Sequence, residues 1–211
     1  MENLARKNKK YNYEGLEKLR SKTDDRYEII NGDLYLMSSP RGIHQLLLGE
    51  IFGQLREFFK DKRYRPFVAP LDVIFNESND RKKWDIVLQP DIFVLCDLDK
   101  YEKNYVKGAP DFIIEIASPT NLIHDRFKKY TIYQKYGVKE YWIIEPNDKK
   151  IFTFVYDEER EVYWTFGEYN ITDDVPVSSF KELKITLSDF YKQNKEWIIK
   201  EEEEEYNNNM K

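Results

Sequence analysis

The stretch Ala109-Pro-Asp-Phe-Ile-Ile-Glu-Ile-Ala-Ser-Pro-Thr120 places a charged residue, Glu115, inside an otherwise apolar run. A similar run, Gln89-Pro-Asp-Ile-Phe-Val-Leu95, precedes it and carries Asp91 near its start. Strands that are apolar on both faces are typical of a sheet that is covered on both sides. An ionised carboxylate in such surroundings is unfavourable unless a cation, a metal ion or hydrogen bonds compensate its charge. We therefore interpret Asp91 and Glu115 as ligands of a hard metal ion.

The two runs can pair as an antiparallel hairpin that is closed by residues 98–108. In the register that sets Asp91 opposite Glu115, their Cβ atoms would lie about 4.5 to 5.5 Å apart. One Mg²⁺ or Mn²⁺ could then bind both carboxylates. Asp111 lies on the same strand face as Glu115 but about 13 Å along the strand, which makes it a weaker candidate.

Regular elements flank these two strands along the chain. Asn31-Gly32 predicts a β-hairpin, because this dipeptide favours the positive φ values of a tight turn. The strand, helix, strand order over 112–146 indicates a parallel crossover, so we expect an α/β fold with a mixed central sheet flanked by helices. The predicted elements are a hairpin over 27–37, a helix over 42–60, strands over 67–75, 91–95 and 112–117, a helix over 124–136 that Gly137 ends, a strand over 140–146, a meander over 151–156 and 162–166, and a closing helix over 187–200.

Length and composition indicate one domain with short additions. The chain has 211 residues, of which 41% are hydrophobic and 16% aromatic, enough to bury one core. We expect a polar segment over 1–20, the folded domain over 21–199 and an acidic, low-complexity tail over 200–211. The sequence has neither an apolar run of membrane-spanning length nor a signal peptide, so we expect a cytoplasmic protein without a membrane partner. Its single cysteine permits no internal disulfide.

The net charge of −5 is concentrated at the carboxyl terminus. Residues 201–211 contain five Glu and one Lys, so the rest of the chain carries only −1. Basic clusters over 6–10, 60–65, 81–83 and 126–129 could contact phosphates, although ordinary solvated charge is the better interpretation of each cluster alone. The overall charge therefore does not exclude a nucleic acid as partner.

A lysine on the helix after Glu115 can complete the site. Lys129 shares a helix face with Ile132 and Tyr133 that should turn toward the sheet. Its ammonium could neutralise the charge that develops on a phosphoryl group during hydrolysis. A surface ion pair between Asp125 and Lys129 is an equally weighted alternative.

Three further residues are weaker candidates. His44 lies on the apolar stripe of the 42–60 helix, where it could face the metal ion or be an ordinary core histidine. Glu50 lies off that stripe, so we rank it below His44. Asp72 could be a further ligand or support one, although an exposed strand residue is the more common interpretation.

Four blocks follow one another along the chain: Asp91; the stretch that ends at Thr120; Asp125-Arg-Phe-Lys-Lys129 with Tyr133; and Gly137-Val-Lys-Glu-Tyr-Trp-Ile-Ile-Glu-Pro146. In this order they resemble the Uma-two family of restriction endonucleases, which belongs to the PD-(D/E)xK nuclease superfamily. The resemblance runs from about residue 27 to residue 191, nearly the whole predicted domain.

The resemblance implies a restriction-endonuclease-like core with an N-terminal hairpin and a C-terminal antiparallel extension, and metal-dependent phosphodiester hydrolysis. Asp91 matches the motif aspartate, Glu115 the second acidic ligand and Lys129 the lysine of the family's own pattern. His44 matches a histidine of the first helix. The superfamily lysine that normally follows the glutamate by two residues is absent, since Ala117 occupies its place.

We therefore expect a Mg²⁺-dependent endonuclease acting on nucleic acid, with DNA as the favoured substrate and Mn²⁺ as an alternative ion. Asp91, Glu115 and the Ile116 carbonyl would bind the metal, Lys129 would stabilise the transition state and His44 would join the site. We expect Asp91→Ala and Glu115→Ala to abolish cleavage with little loss of fold. A catalytically inactive domain that binds nucleic acid or forms a homodimer is the alternative, and a phosphoesterase for small substrates is a third.

Overall fold

Helices and strands follow one another in nearly the order that the sequence predicts. The structure, a computed structural model, describes residues 9–117 and 124–201, with the backbone alone for residues 124–126. The helices are α1 (Tyr13–Arg20), α2 (Gly42–Phe59), α3 (Tyr130–Lys135) and α4 (Ser188–Gln193). The strands are β1 (Tyr27–Ile30), β2 (Asp33–Leu36), β3 (Arg65–Val68), β4 (Asp72–Ile74), β5 (Val87–Leu88), β6 (Ile92–Leu95), β7 (Tyr105–Lys107), β8 (Phe112–Ile116), β9 (Glu140–Glu145), β10 (Lys150–Asp157), β11 (Val162–Asn170), β12 (Asp174–Pro176) and β13 (Lys184–Thr186).

The central sheet is built from the apolar runs that predict strands. Within the described residues it has six strands in the order β11-β10-β9-β8-β6-β3. Strands β8 and β9 are parallel, whereas every other neighbouring pair in this sheet is antiparallel. The mixed sheet and the parallel β8–α3–β9 crossover agree with the sequence prediction.

A second sheet lies against one face of the first. In the described part of the chain its five strands have the order β2-β1-β5-β4-β7, and β4 and β7 are parallel. Its inner face and α3 share one apolar cluster with the central sheet, which includes Val73, Phe93 and Ile113. The space between the two sheets is therefore part of the core.

Helix α2 covers the other face of the central sheet. Leu47, Ile51, Leu55 and Phe59 recur every four residues along it and are buried against this face. The β12–β13 ladder and the carboxyl-terminal helices complete this layer. Among the described helices, none is both long and apolar enough to cross a membrane.

The amino-terminal hairpin has the predicted turn. Tyr27 pairs with Leu36, and the turn residues Asn31 and Gly32 have φ values of 51° and 80°. Gly137, with φ of 68°, follows α3 as the predicted helix stop. The residue types at these positions therefore predicted both the hairpin turn and the end of the helix.

Three of the predicted elements are divided, shortened or interrupted in the structure. The single strand expected over 67–75 is divided into β3 in the central sheet and β4 in the second sheet, because Pro70 lies between them and has no N–H for a continuous ladder. A π-helical turn, His124–Lys129, leads into a short α3. The closing helix is interrupted by a turn at Asn194 before residues 195–201.

The segment over 1–20, expected to be merely polar, contains helix α1 in its described part. Tyr13 and Leu16 are buried against the outer face of the second sheet, with Ile29 and Trp84 among their neighbours. Residues 118–123 and the tail beyond Glu201 lie outside the described residues.

Candidate active site

Strands β6 and β8 bring the two sequence-predicted ligands together. Ile92 pairs with Ile114 and Phe93 with Ile113, a register that confirms the predicted alignment of Asp91 with Glu115. Asp91 directly precedes β6, while Glu115 lies inside β8 and is 2% exposed. The pairing of two apolar strands thus carries both carboxylates to one end of the β6–β8 ladder.

Asp91 is held by one contact from the neighbouring strand β8 and one from helix α2. Its Oδ2 accepts a hydrogen bond of 2.9 Å from the Ile116 backbone N–H, and His44 Nε2 on α2 lies 3.1 Å from the same oxygen. Burial alone would raise the pKa of Asp91, but the hydrogen bond with His44 and the positive charge of Lys129 hold it below its ordinary value. The carboxylate is therefore ionised at neutral pH and is fixed in orientation.

His44 supports Asp91 from the first turn of α2. Its other ring nitrogen, Nδ1, is buried and has no hydrogen-bond partner in the described part of the protein. The apolar stripe that Leu47 and Ile51 continue turns this face of α2 toward the sheet. Of the two interpretations of His44, the structure favours a contact with the candidate site over an isolated core histidine.

Lys129 lies between two carboxylates. Its Nζ is 3.0 Å from Glu115 Oε1 and 3.1 Å from Glu28 Oε1, and the Lys129 side chain is 4% exposed. Its neighbour Lys128 is exposed and contacts Tyr35, which confirms the predicted phase of this helix. The alternative pair with Asp125 involves a side chain outside the described residues.

Tyr133, one helical turn after Lys129, fixes Glu115 further. Its hydroxyl donates a hydrogen bond of 2.6 Å to Glu115 Oε1, the atom that also accepts from Lys129. Burial and the nearby charge of Glu115 raise the pKa of Tyr133 well above its ordinary value. The phenol therefore remains protonated and acts only as a donor to Glu115. The expectation that Glu115→Ala leaves the fold nearly intact assumed an unpaired carboxylate, and these contacts contradict that assumption.

Glu28 is the member of the cluster that the sequence analysis missed. It lies on β1 of the second sheet, is 2% exposed, and its Oε1 also accepts the Gln89 backbone N–H at 2.8 Å. Glu28 is a charged residue beside Ile29 and Ile30 in a strand that is buried on both faces. Glu115 likewise interrupts an apolar, buried strand. Glu28 could have been found if strand β1 had been expected to be covered on both faces.

The remaining candidates lie outside the Lys129 cluster. Asp72 is buried, contrary to the exposed interpretation, and it binds Arg20 through both oxygens and Gln89 Nε2 at 2.8 Å. Glu50 is exposed and accepts from Gln54 on its own helix. Asp72 is therefore a support for the Gln89 segment, and Glu50 belongs to the surface.

Asp111 lies at the other end of β8 from Glu115. It accepts hydrogen bonds of 2.7 Å from Lys139 Nζ and from the Cys96 backbone N–H. These contacts account for its burial without a metal ion, in agreement with its lower rank as a ligand.

The charge of the cluster suits one divalent cation. Asp91, Glu115 and Glu28 together carry a formal charge of −3, which Lys129 reduces to −2 when His44 is neutral. A buried excess of negative charge calls for a counter-ion, and carboxylate oxygens suit Mg²⁺ or Mn²⁺.

Among the described residues, no three His, Cys, Asp or Glu side chains converge on one ion position. Mg²⁺ is commonly held by one or two carboxylates together with water and substrate oxygens, so Asp91 and Glu115 fit this ion. The Ile116 carbonyl stays a predicted third ligand.

A family model and a solved structure match this chain. The model of the Uma2 family, described as "Putative restriction endonuclease", matches residues 13–188. A crystal structure from Anabaena variabilis ATCC 29413, described as "a putative nuclease belonging to DUF820", superposes with a TM-score of 0.67 at 24% sequence identity, covering 86% of this chain and 98% of the other. At this identity the similarity shows the fold alone, and it confirms the predicted mixed α/β class. No curated protein sequence matches the chain.

Proposed function

Because the chain belongs to the Uma2 family of restriction endonucleases, we propose that it is a metal-dependent endonuclease that hydrolyses phosphodiester bonds in DNA. The observation that carries the proposal is the buried Lys129 ammonium, 3.0 Å from Glu115 Oε1 and close enough to Asp91 to lower the pKa of that carboxyl. Two carboxylates beside one lysine are the groups that such hydrolysis requires.

Each residue has a separate task in the proposed reaction. Asp91 and Glu115 would hold a Mg²⁺ ion, whose chemistry is to polarise the scissile phosphate and to activate water. Lys129 supplies a fixed positive charge for the negative charge that builds up on the phosphoryl oxygens. His44 and the Ile116 N–H keep Asp91 in one orientation, and Tyr133 does the same for Glu115.

The position of Lys129 also bears on the inactive alternative. That alternative arose because Ala117 stands where the superfamily usually has its lysine. The ammonium of Lys129 reaches Glu115 from the following helix instead, so the substitution at 117 does not leave the site without a lysine. This geometry favours the enzyme over a domain that only binds nucleic acid or forms a homodimer.

Cleavage of supercoiled plasmid tests the proposal. Wild-type protein with Mg²⁺ or Mn²⁺ should nick or linearise the DNA, and chelator should stop it. Glu115→Gln and Lys129→Met should each lower the rate about 100- to 1000-fold. Lys128→Met is the matched control, because Lys128 is exposed on the same helical turn. Cleavage that persists in chelator, or full activity in either site variant, would contradict the proposal.

Parallel reactions with single-stranded DNA and with RNA test the substrate class. The proposal expects the highest rate on DNA. A rate on RNA that exceeds the rate on both forms of DNA would keep the metal-dependent hydrolysis but overturn DNA as the substrate.

A further inference from the structure

We infer that Glu28 is a positioning residue for the reaction: it holds the Lys129 ammonium in the site while Glu115 is engaged by the metal ion. The inference rests on the proposed function. It concerns a residue of the second sheet that contributes to a site otherwise built on the central sheet, α2 and the turn before α3.

Lys129 lies at nearly equal distances from Glu115 and Glu28. Its Nζ lies 3.0 Å from Glu115 Oε1 and 3.1 Å from Glu28 Oε1, and all three side chains are almost fully buried. A buried ammonium needs a compensating carboxylate, and here two are within contact distance. Glu115 alone would be enough for a purely structural ion pair.

A metal ion bound by Glu115 would change the charge around Lys129. A carboxylate that is shared with a divalent cation offers less negative charge to a neighbouring ammonium, and the cation itself repels that ammonium. Lys129 would then be driven away from Glu115 unless another carboxylate holds it. Glu28, on β1 of the second sheet, provides such a carboxylate 3.1 Å from Nζ, so it can keep Lys129 in place.

Glu28 differs in its contacts from the two proposed metal ligands. Asp91, Glu115 and Glu28 all lie in the described part of the chain, yet they do not form a group that could hold one ion. Glu28 Oε1 instead accepts from Gln89 N–H at 2.8 Å as well as contacting Lys129. Its geometry is that of a partner for Lys129 and not of a third metal ligand.

Glu28 is itself held by the segment that carries Gln89. Gln89 lies two residues before Asp91, and its side chain accepts from Arg26 at 2.9 and 3.0 Å and donates to Asp72 at 2.8 Å. The segment that carries Gln89 therefore holds both Asp91 and Glu28, the residue that supports Lys129. A positioning residue must be rigid to be useful, since small displacements of a catalytic group are costly.

Three substitutions at position 28 test the inference. Glu28→Gln keeps the shape of the side chain but removes its charge, Glu28→Asp keeps the charge but shortens the side chain, and Glu28→Ala removes both. If Glu28 acts by charge on Lys129, kcat should fall about 10- to 100-fold in Glu28→Gln and less in Glu28→Asp. If Glu28 only fills space, the order should reverse, because glutamine is the closer fit.

Two binding measurements accompany the rates. KM, and the affinity for DNA measured in the presence of chelator, should change less than about threefold in Glu28→Gln, because the inference gives Glu28 no contact with DNA or with the metal ion. Mg²⁺ affinity, measured by calorimetry without DNA, should also stay within about threefold of the wild-type value. Glu168→Gln serves as matched control, since Glu168 forms an exposed 3.1 Å pair with Lys150 and should leave every value unchanged.

The outcomes distinguish this inference from the proposed function. A wild-type protein that cleaves no DNA or RNA overturns both. An active wild type with full kcat in Glu28→Gln, or with glutamine better than aspartate at this position, overturns the inference alone. A large loss of Mg²⁺ affinity in Glu28→Gln would make Glu28 a ligand and would likewise overturn its positioning role.

Discussion

Lys129 is a buried cation whose two carboxylate partners are buried with it. In Lys129→Met, Glu28 and Glu115 would both lose this partner, and we expect the free energy of unfolding to fall by about 3 to 5 kcal/mol. Equilibrium urea unfolding of the metal-free protein measures the change. Lys128→Met should cost less than about 1 kcal/mol, because Lys128 is exposed. Equal losses in the two variants would contradict the burial of the ion pair.

A site residue could be predicted from the sequence only where the neighbouring residues indicate that it is buried. Asp91 and Glu115 could be found because each interrupts an apolar run, and Lys129 because the helix face that it shares with Ile132 and Tyr133 is apolar. Glu28 lies in a strand of only four residues whose burial depends on layers far away in the sequence. No local sequence pattern indicates that β1 is covered on both faces.

Strand β8 presents two carboxylates with different partners at its two ends. At the end away from the candidate site, Asp111 joins the β6–β7 connection through Cys96 and the α3–β9 connection through Lys139. Burial alone would raise the pKa of Asp111, but the Lys139 hydrogen bond and the Cys96 N–H hold it below its ordinary value. This end of β8 is therefore stabilised by an ionised carboxylate.

The lowered pKa of Asp111 makes that contribution depend on pH. A carboxyl with a lower pKa in the folded state stabilises the fold above its unfolded pKa of about 3.9, and the effect is lost as the pH falls through the folded pKa. Asp111→Asn should therefore be less stable than wild type at pH 7, by on the order of 1 kcal/mol, since Lys139 is half exposed. Urea unfolding at pH 7, 5 and 3 should show this gap close below about pH 4. A gap of constant size across the range would contradict the assignment.

Element order was easier to predict than element pairing. The strands of the central sheet are four to nine residues long and carry clear apolar patterns. In the second sheet β4, β5 and β7 have only two or three residues each, and β7 lies within what the sequence suggested was a simple connection. Such short strands are stabilised by their neighbours and not by their own composition.

At the scale of the whole molecule, three layers of apolar contact hold α1, the two sheets and α2 together. Leu16 is fully buried between α1 and the second sheet, in contact with the cluster that contains Ile29 and Ile74. Leu16→Ala should lower the free energy of unfolding by about 2 to 5 kcal/mol. Thermal and urea unfolding measure the loss, and Lys18→Ala on the exposed side of α1 should change stability by less than about 0.5 kcal/mol. A loss in Leu16→Ala as small as in Lys18→Ala would show that α1 is not part of the cooperative fold.

The family match begins at residue 13, where α1 begins, which agrees with the packing of this helix on the body of the protein. A cytoplasmic location and a homodimer stay predictions. The amino-terminal segment could not be recognised as folded because Tyr13 and Leu16 are its only fully buried side chains among the described residues, and charged residues surround them.

The Glu28–Lys129–Glu115 contact joins residues that are made at very different times. Glu28 leaves the ribosome roughly one hundred residues before Lys129, and the two lie on different layers of the finished fold. A nascent or prematurely terminated chain that ends between Glu115 and Lys129 contains both carboxylates of this contact but lacks the ammonium that binds them. This part of the site can thus form only after Lys129 has been synthesised and the two sheets have docked.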